Sequence, residues 1–217
     1  MKKTDRRLVI LAGLAVLMLL IGGVGIFLVQ QSRSGSETYE FTGGFWEPPH
    51  AATDLALTDQ NGQPFSLDDH RGKVILLYFG YTYCPDYCPT TLTDFMQVKE
   101  DLGEKAKDVE VVFVSVDPAR DTPARLKEYL DFFDPSFIGL TGTQEQLKPI
   151  ERDYVISVSK EPATPSSSGS SFYLVSHSTS LFAIDQQGNL RLTWPYGTTP
   201  ADISADVTHL LDNPPTD

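Results

Sequence analysis

Cys84 and Cys88 are the two cysteines of this chain, spaced four apart in Tyr83-Cys84-Pro85-Asp86-Tyr87-Cys88-Pro89. They follow the apolar run Val74–Phe79 and precede a helix-like stretch, so two sulfurs meet at a strand-to-helix junction. The spacing is Cys-x3-Cys rather than Cys-x2-Cys. Residues i and i+4 share a face of a helical turn, so the thiols can close a disulfide or grip one soft metal ion. A helix N-terminus favours the thiolate through its dipole and free N–H groups, and Asp86 between the cysteines opposes it. A purely structural disulfide across so short a loop would add little stability, because it removes little chain entropy. That favours a reactive or metal-binding pair. Thiolates select Cu(I), zinc or iron–sulfur clusters. Two sulfurs alone complete neither a zinc nor a cluster site, whereas a histidine as third ligand suits copper in either oxidation state.

The elements that must hold this pair can be read around it. Lys73–Phe79 is apolar enough for a central strand, Thr90–Leu102 reads as a helix stopped by Gly103, and Val109–Val116 as the next buried strand. This strand–helix–strand unit predicts a right-handed parallel crossover. Asp121-Thr122-Pro123 starts another helix, running to about Phe133, with Asp121 or Thr122 as its cap and proline in its first turn. Phe137–Leu140 reads as a short strand and Gln144–Tyr154 as a helix. Asp54–Thr58 with Phe65–Leu67, and Ser180–Asp185 with Leu190–Trp194, read as two hairpins. Asp202–Leu211 closes the domain as an amphipathic helix with Ile203, Val207, Leu210 and Leu211 inward. Glu161–Ser171 is a Pro/Ser/Gly-rich loop. The succession resembles a thioredoxin-like α/β domain, a central mixed sheet flanked by helices, with the cysteines where that fold keeps reactive thiols.

That topology sorts the four histidines. His50 lies in a linker, His70 in the polar turn Asp68-Asp69-His70-Arg71, and His209 in the last helix. In a thioredoxin-like fold the loop entering the second hairpin passes over the thiols, so His177 is the one placed beside them. Asp117 ends a strand near the thiols, where it can orient a group behind the ligands.

Charge and hydropathy set the compartment. The formal net charge is −12, from 17 basic and 29 acidic residues. Lys2, Lys3, Arg6 and Arg7 sit together, so the remainder is more acidic still, which excludes nucleic acid as a partner. Leu8–Val29 carries no charge and as a helix would span about 33 Å, enough to cross a bilayer. The division expected is a cytoplasmic n-region at 1–7, a transmembrane anchor at 8–29, a linker at 30–50, the domain at 51–212 and a tail at 213–217. The basic residues stay inside, and the stretch ahead of the apolar run leaves no room for a mitochondrial transit sequence. A single-pass bacterial inner-membrane protein with its C-terminal domain in the periplasm is expected. A cleaved signal peptide competes, but its apolar region would be shorter, about 7–15 residues, and Ser32-Arg33-Ser34 is a weak cleavage site. In the linker, Phe45 and Trp46 either tuck against the domain or sit at the membrane interface.

Three blocks together, Tyr81–Pro89, then Ser115-Val116-Asp117-Pro118-Ala119-Arg120-Asp121-Thr122-Pro123, then His177-Ser178, resemble the Sco/SenC family of membrane-anchored thioredoxin-like copper proteins. The resemblance covers roughly Asp54 to Leu211. It implies copper, Cu(I) or Cu(II), bound by Cys84, Cys88 and His177. It also implies a role in maturing the dinuclear copper centre of cytochrome c oxidase subunit II, by copper delivery, by reduction of the target's cysteines, or both. That is a metallochaperone rather than an enzyme in the ordinary sense, with Cys84 and Cys88 the exchanging thiols where thiol chemistry occurs. Other periplasmic copper chaperones and thioredoxin-like reductants are the further partners implied. The family commonly has Asp before the histidine where this chain has Ser176, and an acidic neighbour there would tune the imidazole or the metal charge. Two other readings stay open: a metal-independent thiol–disulfide oxidoreductase using Cys84 and Cys88 alone, and a copper or redox sensor. A peroxiredoxin-like peroxidase fits poorly, because a second thiol adjoins the first and Tyr81 stands where a threonine is needed.

Overall fold

The computed structural model describes residues 13–14, 17–20, 22–24, 39–161, 164–165 and 171–214. The chain forms two units, residues 1–40 and 41–217. The n-region, most of the expected anchor, much of the 161–171 loop and residues 215–217 lie outside the described residues. Residues 13–14, 17–20 and 22–24 are helical and exposed. Among the described residues no helix is long and apolar enough to cross a membrane.

The second unit carries strands β1 (Gly44–Ala51), β2 (Leu57–Asp59), β3 (Pro64–Phe65), β4 (Val74–Gly80), β5 (Val109–Ser115), β6 (Ile138–Thr141), β7 (Val158–Lys160), β8 (Thr164–Pro165), β9 (Ser171–Phe172), β10 (Val175–His177), β11 (Leu181–Ile184) and β12 (Asn189–Trp194). Its helices are α1 (Tyr87–Leu102), α2 (Pro123–Asp131), α3 (Gln144–Asp153) and α4 (Pro200–Asp212). The main sheet has the order β1-β12-β11-β4-β5-β6-β2-β3. β4, β5 and β6 run parallel, and β11 pairs antiparallel with β4. The sheet is therefore mixed, as expected. Every residue of β4 is buried, which is what a Val/Ile/Leu-rich run with helix-bearing crossovers requires. Helix α1 packs with α4, and α2 against β6. Tyr78, Phe79, Tyr81, Phe95, Phe113, Phe137 and Trp194 fill the core.

Two departures from the sequence reading have physical causes. Helix α1 starts at Tyr87 rather than Thr90. Pro89 fits there, because the N–H that proline lacks would be unpaired in a first turn anyway. The linker expectation gives way over residues 44–50, which with Ala51 form β1 and pair antiparallel with β12. The Pro48-Pro49 pair hides this strand in the sequence, since proline cannot donate to a ladder. β1 tolerates it as an edge strand whose register shifts between Phe45 and His50. Phe45 and Trp46 tuck against the domain. Phe45 stacks on Phe41 at 4.4 Å between centroids, and Trp46 Nε1 donates to Thr193 Oγ1 at 3.0 Å. Just before β1, the Asp206 carboxylate accepts from Gly43 N–H at 3.0 Å and Trp194 Nε1 at 2.8 Å.

Candidate metal centre

The sulfurs sit where β4 hands over to α1. Gly80 ends β4, and a Cβ there would lie 2.8 Å from Cys88 Sγ and 2.7 Å from the Phe113 ring. The absence of a side chain at Gly80 is what leaves room for the thiol. The turn after Gly80 closes through Cys84 N–H to Tyr81 O at 3.1 Å. Thr82 is pinned next to it: its N–H and hydroxyl donate to Asp121 at 3.0 and 2.7 Å, and Ser115 Oγ donates to the same carboxylate at 2.6 Å. Cys88 falls in the first turn of α1, and its N–H donates to Cys84 Sγ at 3.4 Å. The thiols are free, and both are buried.

The third group arrives on a hairpin. β7 and β10 pair antiparallel with His177 opposite Val158. Ser178 is fastened to Ser157 twice, N–H to carbonyl at 3.1 Å and hydroxyl from N–H at 3.0 Å. His177 Nδ1 donates to the Ser178 carbonyl at 2.8 Å. That bond places the proton on Nδ1 and leaves the Nε2 lone pair facing the sulfurs. Nε2 lies 3.7 Å from Cys88 Sγ. The Tyr78 and Tyr81 rings meet the imidazole edge-on at 6.1 and 5.8 Å, limiting its tilt. The donor atoms of Cys84, Cys88 and His177 all lie within 4.8 Å of one another.

The two thiols differ electrostatically. Hydrogen bonding from Cys88 holds Cys84 down at about 4, and the backbone N–H groups of Asp86 and Cys88 act the same way against the cost of burial. Burial pushes the Cys88 thiol up, and the negative charge of Cys84 adds to this. The pair therefore shares one proton at neutral pH, with Cys84 the thiolate. Tyr78 Oη donates to Cys88 Sγ across 3.8 Å. A cavity of about 320 Å³ opens beside Cys84, lined by Tyr81, Asp86, Tyr87, Glu161 and His177 among others.

Of the residues singled out from the sequence, Cys84, Cys88 and His177 form one site. Asp117 touches neither sulfur nor imidazole. Its carboxylate, fully buried, binds Arg120, Tyr173 and Lys160. The other histidines lie elsewhere: His50 in β1, His70 against Glu110 at 2.5 Å, and His209 edge-on to Phe41. Ser176 is exposed and pairs with Ser159. The helix-cap expectation is met by Thr122, which accepts from Arg125 N–H, and not by Asp121. Asp121 is instead the buried anchor of the cysteine loop. Burial raises its pKa, and its three donors pull back against this. Two sulfurs and a neutral imidazole nitrogen are a donor set that fits copper in either oxidation state.

Comparison with known proteins agrees. A family model described as SCO1/SenC matches residues 47–212. An SCO2-like protein of Rickettsia felis is 33% identical over 189 residues, covering 87% of this chain and 91% of the relative. The structure of Bradyrhizobium japonicum ScoI with copper bound matches with a TM-score of 0.65 at 34% identity, over 73% of this chain and 98% of that one. Yeast Sco1 with copper bound matches with a TM-score of 0.67 at 30% identity, over 76% and 90%. With a family match that runs from β1 to the end of α4, the chain belongs to the SCO1/SenC family.

Proposed function

We propose that this protein is a membrane-anchored copper chaperone. Cys84, Cys88 and His177 hold copper as cargo for the dinuclear centre of cytochrome c oxidase subunit II. The observation that carries this reading is the convergence of three donor atoms within 4.8 Å, with the imidazole tautomer set by the Ser178 carbonyl. Bound copper would supply a soft, exchangeable ion to an incoming cysteine ligand. The chain's own part is to present one thiolate ready-made at Cys84 and a nitrogen lone pair opposite it. The family resemblance supports the oxidase as the destination. The uncharged run at 8–29 behind a basic stretch supports an inner-membrane anchor, with residues 41–217 in the periplasm. Other copper chaperones of that compartment are the donors expected.

A second use of the same sulfurs is favoured by their unequal ionisation. The Cys84 thiolate attacks a disulfide of the target, forming a mixed disulfide and releasing one target thiolate. Cys88 then loses its proton and attacks Cys84 Sγ, closing Cys84–Cys88 and releasing the second target thiolate. The target gains two electrons that the chaperone loses. A thioredoxin-like reductant restores the dithiol.

Anaerobic titration of the reduced full chain with Cu(I) tests the proposal. One ion per chain, abolished in Cys84→Ser/Cys88→Ser and weakened in His177→Ala, is the result expected. Thiol oxidation without copper retention would leave the metal-independent oxidoreductase as the better account. A reporter fused after Asp217 is expected to be active only outside the cytoplasm.

A further inference from the structure

We propose that Asp117 is a positioning residue for His177, clasping the loop end of the β7–β10 hairpin so that the imidazole stays over the sulfurs. Asp117 stands on the connection from β5 to α2 and has no solvent exposure. Its carboxylate reaches the end of β7 and the segment leading into β10. It accepts from Tyr173 Oη at 2.8 and 3.0 Å, just ahead of β10, and pairs with Lys160 Nζ at 3.3 Å, at the end of β7. Lys160 is directly opposite Val175 in the ladder, and Tyr173 lies two residues ahead of Val175, so one carboxylate ties down both chains beside the same rung. Arg120 completes the clasp. It binds Asp117 through Nε, donates Nη1 to the Tyr173 carbonyl at 3.0 Å, and lays its guanidinium 3.6 Å from the centre of the Tyr173 ring. Tyr173 is thus held at its hydroxyl, its ring and its backbone.

The hairpin depends on such ties because two strands of three residues have little stability of their own. Its link to the cysteine loop is Val175 N–H donating to Tyr81 Oη at 3.3 Å. His177 lies two residues beyond Val175, within reach of any shift at that rung. A buried carboxylate must be matched by donors or it destabilises its surroundings. The Asp117–Arg120–Tyr173–Lys160 set meets that demand by recruiting groups from the hairpin, and so fixes where the hairpin sits.

The metal arm of the test rests on the copper reading, and the other arm does not. Tyr173→Phe keeps the ring beneath Arg120 and removes the hydroxyl, with Asp117→Asn as the stronger variant. In the reduced, metal-free full chain, backbone amide hydrogen exchange at residues 175–178 is expected to quicken about tenfold in Tyr173→Phe, with β4 and β5 unchanged. In Cu(I) titrations the same variant is expected to bind about tenfold more weakly, and to show no further loss in a His177→Ala background. Unchanged exchange at 175–178, or an equal loss of affinity with and without His177, would overturn the inference. Faster exchange in a chain that retains no Cu(I) would keep the clasp and remove the copper reading.

Discussion

One buried carboxylate, Asp121, receives both the backbone N–H and the hydroxyl of Thr82, at 3.0 and 2.7 Å, and so fixes the peptide two residues ahead of Cys84. Ser115 at the end of β5 shares it. Asp121→Ala is therefore expected to strand three donors and to destabilise the domain by about 2–4 kcal/mol. Asp121→Asn, which keeps one acceptor, should cost about half as much. Chemical unfolding of the reduced protein measures both. Alkylation of Cys84 in the folded variants reports whether the loop has loosened, and wild-type stability in Asp121→Ala would refute the anchoring role.

Gly80 gives a second prediction. A methyl group there would press on Cys88 Sγ at 2.8 Å and on the Phe113 ring at 2.7 Å, in a strand that cannot shift without disturbing β5 and β11. Gly80→Ala is expected to cost about 1–3 kcal/mol of stability and to weaken Cu(I) binding. If affinity holds while stability falls, Cys88 is not the group displaced.

The Cys84 thiolate gives a pH profile. With a native value of about 4 against an ordinary 9.0, its reaction with iodoacetamide should be nearly flat from about pH 6 to 8 and should fall only as pH approaches 4. The linkage to stability has a definite sign. A depressed native value means that the thiolate's contribution is complete above the unfolded value and is lost as pH falls through the native one. Reduced wild type should therefore lose stability relative to Cys84→Ser between about pH 9 and 4. A profile with its midpoint near 9 would show that the thiolate is not stabilised.

Ser176 offers a test of the family's usual acidic neighbour. Val175 is buried, Ser176 exposed and His177 half-buried, the alternation of a strand with one inner face. Ser176 lies on the open cavity beside Cys84 and His177 and is exposed, so a carboxylate there is screened by solvent. Ser176→Asp is expected to change Cu(I) affinity by less than about threefold, within the range of exposed charge pairs. A shift of an order of magnitude in competition titrations would mean that residue 176 reaches the metal.

What the sequence makes legible here follows range. The cysteine pair, the strand before it and the helix opened by Thr122-Pro123 are local patterns, and each is found where the residues predict. His177 is legible because fold topology, rather than spacing, brings it 89 positions back to Cys88. Asp121 is misread for a physical reason: an acid next to Thr-Pro has the chemistry of a helix cap, and its true partner Thr82 lies 39 positions away. Strand β1 is hidden because prolines argue against a strand everywhere except at an edge or bulge. Asp117 is visible as a residue near the site, yet its partners Lys160 and Tyr173 belong to a hairpin interrupted by a Pro/Ser/Gly stretch that no local pattern joins.

The division of the site between two kinds of support has a consequence for release. Both sulfurs belong to the β4–α1 junction, which is packed into the core with Cys84 bordering the cavity, while the imidazole belongs to a hairpin of two short strands. Proteins open in separate cooperative units of unequal free energy, so the nitrogen side can swing clear at far lower cost than the sulfur side. Under the proposed delivery role, the nitrogen contact would be given up before the two sulfur contacts.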